Sequence, residues 1–501
     1  MDSRSDVTTA SPTPAGTDPA AAGEATVCCD QAVFTSVSGP TGNGYRLVAA
    51  SEGVRSEEKP QIVTHSPSHN GLCHPDPGAV GVACYALDSG RYCVAHSCCA
   101  GQEGTARGGQ RIYTRAVLLD EAAFSRLACN PFRVVRALAA ADRLRPDLDL
   151  PQVLPPLEFS PRIQPEYAPA SDTVGALGEE WLGALLDRVL AGEVLLVVGS
   201  PAPQALAEAI LLSLPAARRG RLSLAAGLRF SLSRRLALNL TAGDDPAHLR
   251  RTIQGHGIEL LEPGTGPAPP AGRQSAWSEM ARRHWSAGTW HELAAFTARH
   301  LPDPSNEGLE RYGRLSNLQH DVQGMDAPAA LTTLEELLLP PCADPVAAEL
   351  IVAVVRSGVA RLRDLYGTAT QEELLGGWDA VVELWATRPR ARSPLSPLLA
   401  GMLKRLTRLA PLQAAAVAPQ ATGAARAETA DALVGDALED LLDHLLEWAH
   451  DAGPEKIEEL VRTLATWPTA HDLAERLQAL RNELSILLAD RVLCAQPGAD
   501  P

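Results

Sequence analysis

The chain has 501 residues and a formal charge of −16, with 45% hydrophobic and 21% charged residues. That length leaves room for about three domains, and the composition is that of a globular protein able to bury real cores. The acidic balance excludes a general nucleic-acid binder, whose phosphate contacts need a basic surface, and disfavours an anionic membrane as the main partner.

Residues 1–27 are rich in Ser, Thr, Pro, Ala and Gly. They lack the basic start and apolar middle of an export signal, so a disordered tail is expected. No run of ~18 apolar residues occurs, so no membrane span is expected. The ten cysteines are therefore expected to be reduced thiols in a cytoplasmic protein.

Residues 28–165 read as a β-rich domain. Gln31–Val37 and Tyr45–Ala50 flank the turn-forming run Gly39-Pro40-Thr41-Gly42-Asn43-Gly44, which predicts a hairpin. Further strands are predicted at Val80–Leu87, Arg91–His96 and Arg111–Leu118, with short helices around Glu121–Ala128 and Phe132–Ala141. A Pro-rich stretch from Pro151 to Pro169 reads as a semi-rigid connector.

Residues 171–262 alternate helix and strand, which predicts a small parallel sheet in an α/β domain. The run Val194–Val198 ending at Gly199 reads as a buried strand, with helices at Leu177–Leu190, Pro203–Leu214 and Asp245–Gln254. Strands are also expected at Leu222–Ala225, Leu236–Leu240 and Ile258–Leu261. Residues 263–274 are a Gly/Pro-rich linker.

Residues 275–501 read as an all-α array, which makes the fold class α+β. Three apolar stripes at helical spacing stand out: Leu438, Leu441, Leu442, Leu445 and Trp448; Ile457, Leu460, Val461, Leu464 and Trp467; Leu473, Leu477, Leu480, Leu484 and Leu487. Loops are expected at Arg388–Pro394 and Val417–Ala427.

A phosphate-binding P-loop needs a lysine directly after glycine. The only lysines are Lys59, Lys404 and Lys456, and none follows a glycine. Gly199 sits where such a loop would lie, but Gly199-Ser200-Pro201-Ala202-Pro203 reads as a plain strand-to-helix turn. Eight cysteines crowd the N-terminal region, with His74 and His96 among them. Cys93, His96 and Cys98 are close enough in sequence to share zinc, although no Cys-x-x-Cys pair accompanies them. Cys93 or Cys98 beside His96 or His74 is the nucleophile version of the same cluster. No other cofactor is expected. Arg218, Arg219, Arg221, Arg229, Arg234 and Arg235 form a basic run uninterrupted by acid, suited to an anionic ligand or an acidic partner surface. The loop Gly101–Gln110 is rich enough in glycine to cradle an anion through its amides.

The N-terminal residues Gln31–Val37, Gly39–Ser51 and Ser66–Cys73 resemble the N-terminal domain of bacterial GTPase-associated proteins. The middle region is similar to that family's middle domain in its strand ending at Gly199, in Leu214-Pro215 and in Arg219–Ser223. In that family an aspartate, a Gly-Arg loop, an aromatic and a histidine fall where Gly104–Leu118 stands. Thr105–Arg115 lacks the aspartate and the histidine, so any active role resting on them is expected to be lost here. The resemblance implies a partner GTPase, or another protein of the same system; the acidic charge and the lack of a long apolar run lead us to expect neither nucleic acid nor membrane as a partner. The leading reading is a non-catalytic adaptor or regulatory subunit beside a GTPase in a bacterial defence or regulatory system. A cysteine- or zinc-dependent enzyme and a sensor of an anionic ligand through Arg218–Arg235 are the alternatives.

Overall fold

The computed structural model describes residues 26–37, 44–74, 76–103, 109–163, 166–263, 274–338, 342–424, 431–467 and 473–494. Most of the expected tail, the turn at 39–43, residues 104–108 of the glycine-rich loop and residues 264–273 of the linker lie outside them. The chain divides into two compact units, Met1–Gln274 with Ala281–Asn306, and Ser275–Met280 with Glu307–Pro501. Among the described residues no helix is long and apolar enough to cross a membrane.

The first unit is built on one eleven-stranded sheet. Its strands are β1 (Val27–Val37), β2 (Gly44–Ser51), β3 (Val80–Ala86), β4 (Tyr92–Gln102), β5 (Gln110–Leu119), β6 (Val153–Leu154), β7 (Leu157–Phe159), β8 (Leu195–Val198), β9 (Leu224–Ala226), β10 (Leu238–Thr241) and β11 (Glu259–Leu261). The order is β11-β8-β10-β9-β3-β4-β5-β1-β2-β6, with β7 paired to β1. β11, β8, β10 and β9 are mutually parallel, while β3, β4, β5, β1 and β2 are antiparallel neighbours. The two parts join where β3 pairs antiparallel with β9, through Val82–Ala226, Ala83–Ala225 and Cys84–Leu224. Strands from both the 28–165 and the 171–262 stretches thus lie in the same sheet.

Two glycines make that junction. A side chain at Gly81 would strike Leu228. Gly227 has φ +77°, and a Cβ there would come within 2.5 Å of the Val80 carbonyl, so only glycine fits. The stretch read as a Pro-rich connector also joins the sheet. β6 runs parallel to β2, and the Ala50 amide donates to the Gln152 carbonyl at 3.0 Å. Proline is tolerated there because a sheet-edge strand leaves one row of its amides outside the ladder.

The helices of this unit are α1 (Glu58–His65), α2 (Glu121–Arg126), α3 (Pro131–Ala140), α4 (Ala168–Leu177), α5 (Glu179–Leu190), α6 (Pro203–Ser213), α7 (Ala216–Arg219), α8 (Pro246–Ile253), α9 (Ala276–Ser286) and α10 (Trp290–Ala298). Residues 276–280 of α9 count with the second unit. Local chemistry fixes several starts: Asp120, Asn130 and Asp245 each accept a backbone N–H as N-caps, and Pro131 and Pro246 stand in first turns. Ile62 of α1 packs into a core on one sheet face with Tyr85, Cys93 and Leu118.

The second unit is helical: α11 (Asn306–Asp321), α12 (Ala327–Leu338), α13 (Pro345–Thr368), α14 (Gln371–Thr387), α15 (Pro389–Leu409), α16 (Pro411–Ala424), α17 (Asp431–Asp451), α18 (Pro454–Ala465) and α19 (Ala474–Cys494). A continuous core runs from Val322 to Leu484, and every residue of the three apolar stripes lies in it or packs against it. Thr370 and Glu373 form a reciprocal capping box at the start of α14. The loops expected at Arg388–Pro394 and Val417–Ala427 are corrected: α15 begins at Pro389 and α16 continues to Ala424. Proline at the first helical position loses no intrahelical bond. Pro394, Pro397 and Pro419 do lose one each, but Ala391, Leu395, Leu399, Ala414, Ala418 and Ala421 bury in the shared core and outweigh that cost.

Candidate functional site

The cysteine–histidine cluster lies on the central strands, where neighbouring side chains alternate between faces. Cys93 points into the core with Tyr85 and Ala95, whereas Cys98 lies in the opposite core with Val33 and Tyr113. His96 shares the parity of Cys98 along β4. The structure therefore does not bring Cys93, His96 and Cys98 together, and among the described residues no group of three His, Cys, Asp or Glu is placed to hold a metal ion. His74 is exposed.

Burial pushes the Cys93 thiol up to about 12, and burial followed by the neighbouring Cys99 pushes that of Cys98 up to about 11. Cys29 and Cys73 rise to about 12 and about 11, again chiefly through burial. The thiolate is the nucleophile, so thiols in this range behave as small apolar side chains at neutral pH. Burial, reinforced by Arg115, lowers His96 to about 4, leaving it neutral. Arg115 reaches Gln31 and, at 3.0 Å, the Tyr113 hydroxyl. The cluster is the core of a sheet.

The arginine run is likewise dispersed by the fold. Arg219 is only 2% exposed, and it donates to the carbonyls of Leu214, Ala128 and Leu212 and to Thr297 Oγ1. Arg234 is buried and donates to the Arg229 carbonyl. Arg218 reaches the Pro304 carbonyl at 2.7 Å and Asn306 at 2.8 Å. Arg221, Arg229 and Arg235 are exposed. Two members of the run thus brace the interior, and three face solvent.

At the base of the glycine-rich loop stands an arrangement that spacing did not reveal. The buried Glu103 carboxylate accepts from Ser36 Oγ at 2.8 Å and pairs with His69 Nδ1 at 2.7 Å. Its amide donates to the Gly109 carbonyl at 2.9 Å, closing the loop's neck. The carboxylate held against Nδ1 fixes the orientation of the ring. A Cβ at Gly109 would lie 2.5 Å from the His69 ring, which is why glycine stands there. His69 lies within the Ser66–Cys73 stretch that carries the family resemblance, and that was its only signal.

The helical unit presents two grooves. One, of about 1040 Å³ between α12, α13 and α14, has Leu331, Tyr366 and Leu384 in its wall and Asp326, Glu335, Glu373 and Glu383 around it. The other, of about 670 Å³ along α13 and the start of α15, is walled by Ile351, Val352 and Val355 and rimmed by Arg356, Arg363 and Arg390. Apolar walls with charged rims are what partner-binding grooves have.

A mixed sheet with buried thiols is followed in sequence by a helical array that carries apolar grooves. Residues 29–158 match the family model of GTPase-associated protein 1, N-terminal domain type 2. The match covers most of β1, all of β2 to β6 and most of β7, and it supports the resemblance read from Gln31–Cys73. No curated protein matches the chain.

Proposed function

We propose that the protein is a non-catalytic adaptor or regulatory subunit that associates with a partner GTPase in a bacterial defence or regulatory system. The observation that carries this reading is the match of residues 29–158 to a domain of GTPase-associated proteins. The state of the thiols supports it: Cys93 and Cys98, the candidate nucleophiles, are buried and protonated at neutral pH. So does the missing phosphate lysine, since none of the three lysines directly follows a glycine. In this reading the sheet unit recognises the partner and the helical grooves dock a further protein of the system.

Affinity capture of the tagged full chain from its native host, with mass spectrometry of the proteins recovered, tests the proposal. A GTPase enriched over an untagged control is expected. Recovery of the chain without any GTPase, from cells shown to express the neighbouring GTPases, overturns it.

A further inference from the structure

A small cavity of about 190 Å³ lies in the sheet unit, walled by α3, α6, α7, α10 and the residues just before α4. Arg133 and Arg136, one turn apart on α3, and Arg219 at the end of α7 converge on it. Asn130 caps α3 by accepting the Phe132 amide at 2.9 Å, and Pro131 starts the helix, so the two α3 arginines leave a fixed first turn. Ala294, Ala295 and Ala298 of α10 form a wall of small residues, which leaves the space open.

The charges in this cavity do not balance. Glu208 is taken by Arg136 in a two-pronged pair at 2.7 and 2.5 Å. Among the described residues Glu166 is the one other carboxylate in the wall, so there three guanidinium groups face two carboxylates. Arg219 is held by three carbonyls and a hydroxyl, which engage four of its five N–H groups without neutralising its charge. Arg133 has a single long bond, to the Ile163 carbonyl at 3.5 Å, and its Nε is buried with no partner among the described residues. Burial draws Arg219 down to about 10, and burial followed by the adjacent Arg136 lowers Arg133. Both shifts come chiefly from burial, which disfavours the charged form.

The backbone beside the cavity is strained in the same place. Ala128 and Cys129 are consecutive non-glycine residues at φ +54° and +51°, a conformation that L side chains rarely adopt. The strain turns the Ala128 carbonyl onto Arg219 at 3.0 Å. Such strain persists where the surroundings over-determine it and is typical of ligand clamps.

We propose that Arg133, Arg136 and Arg219 form a binding site for a phosphate-type oxyanion, with Tyr167 and His291 as further donors at the wall. Guanidinium N–H groups suit phosphate oxygens, and Arg133, whose Nε has no partner among the described residues, brings the least engaged edge, while Arg136 is already paired with Glu208. The volume falls below the roughly 300 Å³ at which pockets begin to enclose drug-sized molecules, so it suits the oxyanion and not a whole nucleotide. The anion is either free phosphate or the terminal phosphate of a larger molecule lying outside the cavity.

The test is calorimetric titration of the purified full chain with inorganic phosphate, then with GMP and GDP, beside Arg133→Gln, Arg133→Lys and Arg221→Gln. Saturable 1:1 binding by the wild type is expected, weakened about tenfold or more in Arg133→Gln, partly restored by Lys and unchanged in Arg221→Gln. Phosphate binding with no competition from nucleotides identifies the free ion. Competition by GMP or GDP identifies the phosphate of a larger molecule. Arg133 is half-buried and outside any ion pair, so circular dichroism of its variants should match the wild type. Absence of binding by phosphate and both nucleotides, or equal affinity in a folded Arg133→Gln protein, overturns the proposal.

Discussion

The two units of the chain treat charge in opposite ways. The sheet unit buries ionic groups: Glu58 is fully buried and held by Arg91, which also reaches Asp30 at 2.6 Å, while Arg115, Arg219 and Arg234 are each at most 8% exposed. The helical unit keeps its main ion pairs outside, as in Arg476 with Glu439 and Asp443, Arg462 with Glu458, and Lys404 with Asp440. Its interior is aliphatic and aromatic, centred on Trp378 and Trp385. Burying charge is costly unless it is paired, so the sheet unit depends on particular internal pairs. Surface pairs contribute little, so the array stands on apolar packing.

The sharpest way to break this comparison is to remove one key side chain from each unit. Arg91→Ala, which strands the buried Glu58, and Trp378→Ala, which empties a packed core, are each expected to cost about 3–5 kcal/mol in chemical denaturation. Their pH dependence should separate them. Burial alone would raise the Glu58 carboxyl, but hydrogen bonds from Arg91, Ser89 and the Arg55 amide outweigh it and hold it below the usual glutamate range. A carboxyl depressed in the folded state stabilises above its unfolded pKa and loses that contribution as pH falls through the folded value. The cost of Arg91→Ala should therefore shrink on acidification below the ordinary glutamate range, while that of Trp378→Ala stays flat. Equal pH profiles would contradict the contrast.

Gly227→Ala comes next, at about 1 kcal/mol or more, because alanine is strained at that φ and crowds the Val80 carbonyl. Loss of the sheet unit's transition with the helical transition unchanged would place the damage at the β3–β9 seam. His96 gives a graded effect. Its folded value near 4 lies below the unfolded one, so the unfolded chain takes up the proton first and stability falls as pH drops below about 6.5. Urea midpoints at pH 7 and pH 5 should differ less in His96→Gln than in the wild type. The smallest effect belongs to Arg476→Ala, roughly 0–1 kcal/mol and weakened further by salt.

Much of this architecture was legible because it is local. Short apolar runs between turn residues located β1, β3 and β5 to within a few residues and the start of β4, which runs six residues past His96. The apolar run before Gly199 located β8. The helical stripes from Leu438 to Leu487 proved to be core. What escaped notice depends on contacts distant in sequence. Val153–Leu154 and Leu157–Phe159 are too short and too rich in neighbouring proline to announce strands, and they exist because β1 and β2 offer edges. Pro389, Pro394 and Pro397 argued for a loop that burial overrides. The β3–β9 seam left no mark in either segment. The cavity arginines come from α3 and α7, and their counter-charge comes from α6. Only the spacing of Arg133 and Arg136, three apart on one helix face, could have drawn attention to them. The run Arg218–Arg235 looked like a site because its members are adjacent in sequence, yet burial splits them between interior and solvent.

The central claim is association with a GTPase, and the most direct measurement is light scattering coupled to size exclusion. The full chain and a GTPase recovered with it would be mixed at equal concentration with GDP, with a non-hydrolysable GTP analogue, or without nucleotide. The account predicts one peak at the summed mass in at least one nucleotide state. Two independent peaks in every state would contradict it.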